Sequence, residues 1–171
     1  MEINDFTLDM LNQVQQALTT AVDGLTHEEL TFQPQNDANS IGFILWHQVR
    51  VEDSMVPGTI QKKPQVWTSG KWYRKLNLPE DPNDNGWGYT AEQVAAFPVP
   101  KLKDLLDYAE EVRSQTVECL KGMTPDRFDE VIQTPFGDLT ISQIFSLLLC
   151  EITLHIGQIA YLRGLQRGIN K

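Results

Sequence analysis

Glu151 and His155 stand four residues apart in the most apolar stretch of the chain, Ile144-Phe-Ser-Leu-Leu-Leu-Cys-Glu151-Ile-Thr-Leu-His155-Ile-Gly-Gln-Ile159. On a helix, positions i and i+4 share a face, so the two side chains point the same way. A glutamate in such surroundings asks for a partner, because carboxylates are almost never fully buried unpaired. A second apolar helical pattern, Ser40 to Asp53, carries His47 on the face that holds Ile44 and Val51. Two imidazoles and a carboxylate from two packed helices form a ligand set for a divalent metal, with coordination positions left open. Each residue also has a plainer reading. His47 alone is a core histidine bonded to a neighbour. Glu151 alone is a buried acid paired with Arg50 or Arg163, and His155 alone bonds Glu151 or Tyr161. The third histidine, His27, falls in a solvated helix start and is not expected to be a ligand.

Further residues are candidates for the surroundings of that site. Arg50, Glu52, Trp46 and Tyr161 lie in or beside the two patterns. Glu52 and Asp53 sit five and six residues from His47, off its face. They are expected as surface charges, or as partners of Arg50 and of the long loop that follows. That loop, Pro57 to Tyr89, holds Trp67, Trp72 and Trp87. These indoles either line a ligand pocket or clamp the loop to the rest of the fold. No residue is assigned a catalytic role: neither a Gly-x-Ser-x-Gly elbow nor a glycine-rich phosphate loop is present. Cys150 adjoins Glu151 and therefore faces away from it.

Four long amphipathic patterns position these residues. The first covers roughly residues 4–23, with Phe6, Met10, Leu11, Val14, Leu18, Ala21, Val22 and Leu25 inward at steps of three and four. The second runs from Ser40 to about Met55, where Pro57-Gly58 is expected to stop it. The third runs from about Pro100 to Lys121. The fourth starts at Thr140-Ile-Ser-Gln143, which has capping-box spacing, and reaches about Leu165, leaving a short basic tail beyond Gly168. Thr90-Ala-Glu-Gln93 predicts a shorter helix by the same spacing, and Thr-Pro-Asp after Met123 predicts one helical turn. The expectation is an all-α bundle forming one domain over residues 1–171.

At 171 residues the chain can bury a single core, and 41% hydrophobic with 22% charged residues is ordinary for a globular protein. The formal net charge of −9 argues against nucleic acid and, more weakly, against anionic membranes. No basic, apolar leader opens the sequence, and no run of roughly 18 uninterrupted apolar residues predicts a membrane span. Two cysteines, Cys119 and Cys150, are no disulfide framework. Buried free thiols and a cytoplasmic setting are expected.

The segments Trp46-His47-Gln-Val-Arg50-Val-Glu52-Asp53 and Glu151-x-x-x-His155-Ile-Gly157-Gln158-Ile-x-Tyr161-Leu-Arg163-Gly164 resemble the DinB/YfiT-like family, and the order of elements is similar over nearly the whole chain. The resemblance implies a four-helix bundle with up-down-down-up connectivity and long crossover loops. It implies a divalent metal, zinc or nickel, on a second-helix histidine matched by His47 and on a His-x-x-x-His pair whose later member is His155. Glu151 stands where the family usually has the earlier histidine. It also implies a homodimer and a thiol-dependent transferase or a hydrolase acting on a small molecule, with a low-molecular-weight thiol as possible co-substrate. The competing expectation is a non-catalytic helical scaffold or small-molecule-binding module, in which Glu151 and His155 form an internal polar network.

Overall fold

Residues 2–134 and 136–168 are described by the computed structural model; the basic tail beyond Gly168 lies outside the described residues. The first amphipathic pattern folds as α1 (Ile3–Val22), burying Thr7, Leu11, Val14, Leu18 and Ala21. Phe6 was expected inward but is 50% exposed. One residue from Thr7 is about 100° round the helix, enough to leave the buried line. Thr26 and Glu29 cap the short α2 (His27–Thr31), where His27 is exposed.

The second pattern is α3 (Ile41–Asp53), capped by Ser40, and every one of its residues is buried. Pro57-Gly58 does not stop the chain there. It continues as a π-helical segment, Ser54–Ile60, with Pro57 inside it. Proline lacks an N–H and crowds the carbonyl one turn back. The wider turn, in which the Gln61 N–H reaches the Val56 carbonyl at 3.0 Å, accommodates both defects. Within the aromatic loop lie two short helices, α4 (Val66–Ser69) and α5 (Trp72–Lys75). The Thr90–Gln93 capping box opens α6 (Ala91–Ala95) as expected.

The third pattern is α7 (Leu102–Lys121), and a 3-10 turn at Pro125–Asp129 follows it. The chain is mostly helical, as expected, with one addition the sequence did not predict: β1 (Val131–Thr134) and β2 (Gly137–Thr140) form an antiparallel hairpin, with Ile132 opposite Leu139. The β-branched run Val131-Ile132 and the Gly137 turn, at φ +105°, are its local causes. The fourth pattern is α8 (Ile141–Arg167), opened by the Thr140–Gln143 capping box. Its first N–H also bonds the Glu130 carbonyl at 3.0 Å, which ties the hairpin to the helix start. The described residues are thus mostly helical.

Helix α8 packs against α1 and α3, and α7 packs against α3 and α1. Trp46, Tyr108, Leu11, Leu45, Leu105 and Ile141 are among the side chains fully enclosed between them. Each aliphatic residue so buried contributes about 1.5–3 kcal/mol before entropy is counted. By length and mean hydropathy (1.5) α8 could cross a membrane, a test the uninterrupted-run criterion missed. Its Ile144, Leu148, Ile152 and Ile159 are buried against neighbouring helices, while only 33% of its most apolar window is buried in all. Cys119 is buried as expected, and burial raises its thiol pKa. Cys150 is exposed, against expectation, because it lies on the opposite side of α8 from that packed line.

Polar contacts fasten the helix ends. The Asn4 amide donates to the Leu120 and Met123 carbonyls at 2.9 and 2.6 Å. Arg163 reaches the Asp23 carbonyl at 2.6 Å. Arg167 forks onto Glu29 at 2.5 and 2.8 Å and reaches the Gly24 carbonyl at 2.6 Å. The Arg167 guanidinium, then the Thr26 backbone N–H, hold the Glu29 carboxyl at about 2, below its ordinary 4.5. A carboxyl lowered on folding stabilises the fold above its unfolded pKa and loses that effect as pH falls through the folded one. Acid unfolding of the wild type should therefore steepen between pH 4.5 and 2. The Glu29→Gln protein should show a flatter stability profile over the same window.

Candidate metal centre

His47 comes from the middle of α3 and Glu151 and His155 from the middle of α8, where the two helices face each other. One ligand atom from each of the three lies within 4.8 Å of the others. The Glu151 Oε1 is 3.4 Å from His47 Nε2 and 3.1 Å from His155 Nε2. The imidazoles meet edge to face, ring centres 5.0 Å apart. His47 is buried, while the Glu151 and His155 side chains keep 28% and 14% exposure, so the cluster opens to solvent on one side.

The far nitrogens decide what the near ones can do. His47 Nδ1 bonds the backbone carbonyl of Asn85, and His155 Nδ1 bonds Gln158 Oε1 at 2.8 Å. The Asn85 carbonyl can only accept, so His47 Nδ1 carries the hydrogen, and Gln158 Oε1, with its amide in this orientation, asks the same of His155 Nδ1. In a neutral imidazole that leaves Nε2 with a bare lone pair. Two nitrogen lone pairs and a carboxylate oxygen then converge with no hydrogen among them. A proton or a cation must reconcile them, and a divalent cation satisfies all three at once. Contacts of 3.4 and 3.1 Å match the edge, roughly 3.3 Å, of a tetrahedron built on bonds of about 2.0 Å, and the third pair, the two imidazole nitrogens, lies within 4.8 Å.

A strap formed by residues 81–89 lies along α3 and supplies the Asn85 carbonyl. Gly86 (φ +82°) lets it sit flat: a Cβ there would come within 2.8 Å of Phe43 Cζ and Trp46 Cζ3. Asn85 and Asp84 turn the strap by accepting from the Trp87 and Gly86 N–H groups. Tyr89 donates to Asp84 at 2.7 Å, and burial together with that carboxylate raises the phenol's pKa. Phe43 stacks on His47 with planes 6° apart.

The other expected residues have different stations. Arg50, fully buried, does not touch Glu151. It donates to the Pro82 and Asp84 carbonyls at 2.7 and 3.1 Å, and to Gln65 Oε1 and the Tyr108 hydroxyl at 2.8 and 3.2 Å. Its guanidinium lies 4.4 Å from the Trp67 ring centre. Asp53, also fully buried, accepts from the Val66 and Trp67 N–H groups at 2.8 Å each and from Tyr108 at 2.7 Å. Burial pushes its carboxyl up against these donors, and pushes the Tyr108 phenol well above its ordinary value. Glu52 is no surface charge: it is 4% exposed and grips Arg113 at 2.7 and 2.8 Å, away from the cluster. Both acids are buried because their partners arrive from α7 and α4, which the local pattern does not reveal.

Trp46 is sealed among Trp67, Tyr89 and Phe97. Tyr161 is 69% exposed and lines a groove with Ala17 and Ile156 rather than meeting His155. Trp67 and Trp72 clamp the loop, the latter donating to Glu111 at 2.8 Å, while Trp87 stands 77% exposed. Sequence reasoning missed Asn85 and Gln158 as partners of the imidazoles. Gln158 was readable, three residues from His155 on one helix. Asn85 acts through its backbone and leaves no residue-type signal.

The profile of the DinB superfamily matches residues 10–159. No curated protein matches the sequence. Among solved structures, a conserved protein from Enterococcus faecalis has the same fold, with a TM-score of 0.85 at 21% identity over 96% of this chain and 97% of that one. With the profile spanning both helices that carry the cluster, the chain belongs to the DinB superfamily.

Proposed function

We propose that the chain holds a divalent metal, zinc or nickel, on His47, Glu151 and His155, and that it is a metal-dependent enzyme acting on a small molecule. The observation that carries this reading is the convergence of two imidazole Nε2 atoms, whose rings are engaged at Nδ1 by Asn85 and Gln158, on one carboxylate oxygen of Glu151. Imidazole and carboxylate donors suit zinc and nickel. Bound there, such an ion supplies Lewis acidity toward a water or thiol in its open position. The chain's own residues orient the site: the Asn85 carbonyl and Gln158 fix the imidazole hydrogens, Phe43 backs His47, and the exposed side of Glu151 admits the substrate. A thiol-transfer or hydrolytic reaction is the class this arrangement serves. Metal analysis of protein purified without a histidine tag, under saturating zinc and nickel, tests it. About one equivalent per chain is expected, and none in His155→Ala. Absence of metal from the wild type would instead favour a scaffold with a proton-bridged polar network.

The same reading includes the up-down-down-up connectivity. Its support is that the start of α1 meets the end of α7 through Asn4, whereas the ends of α1 and α8 meet through Arg163. It also includes a cytoplasmic homodimer joined through the outer face of α8. Exposed Leu147, Leu154 and Tyr161 recur there every seven residues, with the small Cys150 and Gly157 between them. That spacing suits a second helix packed alongside. The stripe is uncharged on a chain of net charge −9, which favours a second copy over an anionic membrane or nucleic acid. Light scattering should give twice the chain mass, and Leu154→Glu should return the monomer.

A further inference from the structure

Arg50 is three residues from His47 on α3 and touches none of the three clustered side chains, yet both hold neighbouring carbonyls of one strap. Its Nη2 takes the Pro82 carbonyl and its Nε the Asp84 carbonyl, and the next carbonyl, Asn85, accepts from His47 Nδ1. The third nitrogen, Nη1, faces Gln65, Tyr108 and Asp53, so the fork is held on every nitrogen. The strap contains no helix or strand between Asp81 and Tyr89, and Gly86 and the Tyr89 ring seat it on Phe43 and Trp46 by packing, which fixes no carbonyl direction. Something must therefore hold its carbonyls at a fixed height above α3. A buried guanidinium is suited to that task, because its planar donors grip two oxygens at once, which an ammonium cannot do.

We propose that Arg50 is a positioning residue for the metal centre: by clamping the backbone of Pro82 and Asp84 it keeps the Asn85 carbonyl on His47 Nδ1 and so keeps the Nε2 lone pair bare. This rests on the metal reading for its purpose, but its test does not require metal. If the clamp loosens, the Asn85 carbonyl draws away and His47 gains more by donating from Nε2 to Glu151 Oε1, already 3.4 Å distant. The hydrogen then moves from one ring nitrogen to the other and the lone pair is no longer available. His155 is held by Gln158 on its own helix and should not respond.

Long-range proton–nitrogen spectra of metal-free protein, in buffer alkaline enough to keep imidazoles neutral, read both tautomers directly. In the wild type both histidines should carry hydrogen on Nδ1. In Arg50→Gln, His47 should shift to the Nε2–H form while His155 stays unchanged. Because loss of the buried charge can unfold the chain, Arg50→Lys is the second variant: it keeps the charge but not the fork, and the same one-sided shift is expected. Zinc affinity should fall about 10–100-fold in either folded variant, the usual cost of losing a group that orients a ligand. A folded variant in which His47 keeps its hydrogen on Nδ1 would overturn the proposal. A tautomer shift with no zinc binding even in the wild type would leave the clamp standing and remove the metal reading instead.

Discussion

Asp53→Ala is expected to lower the unfolding free energy by about 3–5 kcal/mol, read as a drop in the urea midpoint at constant slope. The carboxylate is the meeting point of four donors: the N–H groups of Val66 and Trp67, the Tyr108 hydroxyl and Arg50. All of them are enclosed, so truncation leaves a guanidinium without its countercharge and three neutral donors without an acceptor. A stranded buried donor costs about 1–3 kcal/mol on its own. The losses do not add in full, since the site can relax and admit water, which sets the range given. Burial opposes the ionised carboxyl and pushes its pKa up, so the net worth of the pair is smaller than the cost of breaking it. Asp53→Asn separates the two effects: it keeps one oxygen acceptor and should cost clearly less than alanine. A midpoint shift below about 1 kcal/mol for Asp53→Ala would mean that water takes over the network.

If zinc stabilises the fold through this cluster, Glu151→Ala is expected to abolish that gain and Glu151→His to preserve it. A ligand that binds only the folded state contributes about 2.7 kcal/mol at a concentration of 100 Kd. The wild type should show that gain as a rise in Tm with zinc, and the alanine variant should show none. Histidine at this position restores the three-imidazole set that the family resemblance implies, in a space already open on one side. The net charge of the bound site then rises by one. A comparison of zinc and nickel in the same melt reads the resulting change of preference. Equal zinc-induced shifts in wild type and Glu151→Ala would remove Glu151 from the ligand set.

Much of the cluster is legible in the sequence because its logic is local. Glu151 and His155 share a helix face by spacing alone, and an apolar run around them marks that face as inward. His47 is readable for the same reason on α3. The resemblance then joins two segments that periodicity cannot join. What escapes is whatever depends on distant backbone. The Asn85 carbonyl that sets the His47 hydrogen has no side-chain signature. Asp53 does meet Arg50 and the long loop, as one of the two expectations had it, whereas Glu52 is buried by Arg113, which arrives from far along the chain. Phe6 looks like a core residue because an aromatic near a helix start fits the inward line within one residue, and one residue is enough to turn it outward. The β1–β2 hairpin was missed because four-residue strands beside a turn carry too few alternations to set a period.

The solitary indole of Trp87 has a practical side. Trp46, Trp67 and Trp72 are all sealed from water, so aqueous quenchers such as iodide meet a single fluorophore. That fluorophore rides two residues beyond the carbonyl that touches His47, and the backbone N–H of Trp87 donates to the Asn85 side chain. The protein thus carries a native optical probe on the segment whose carbonyl meets the His47 imidazole.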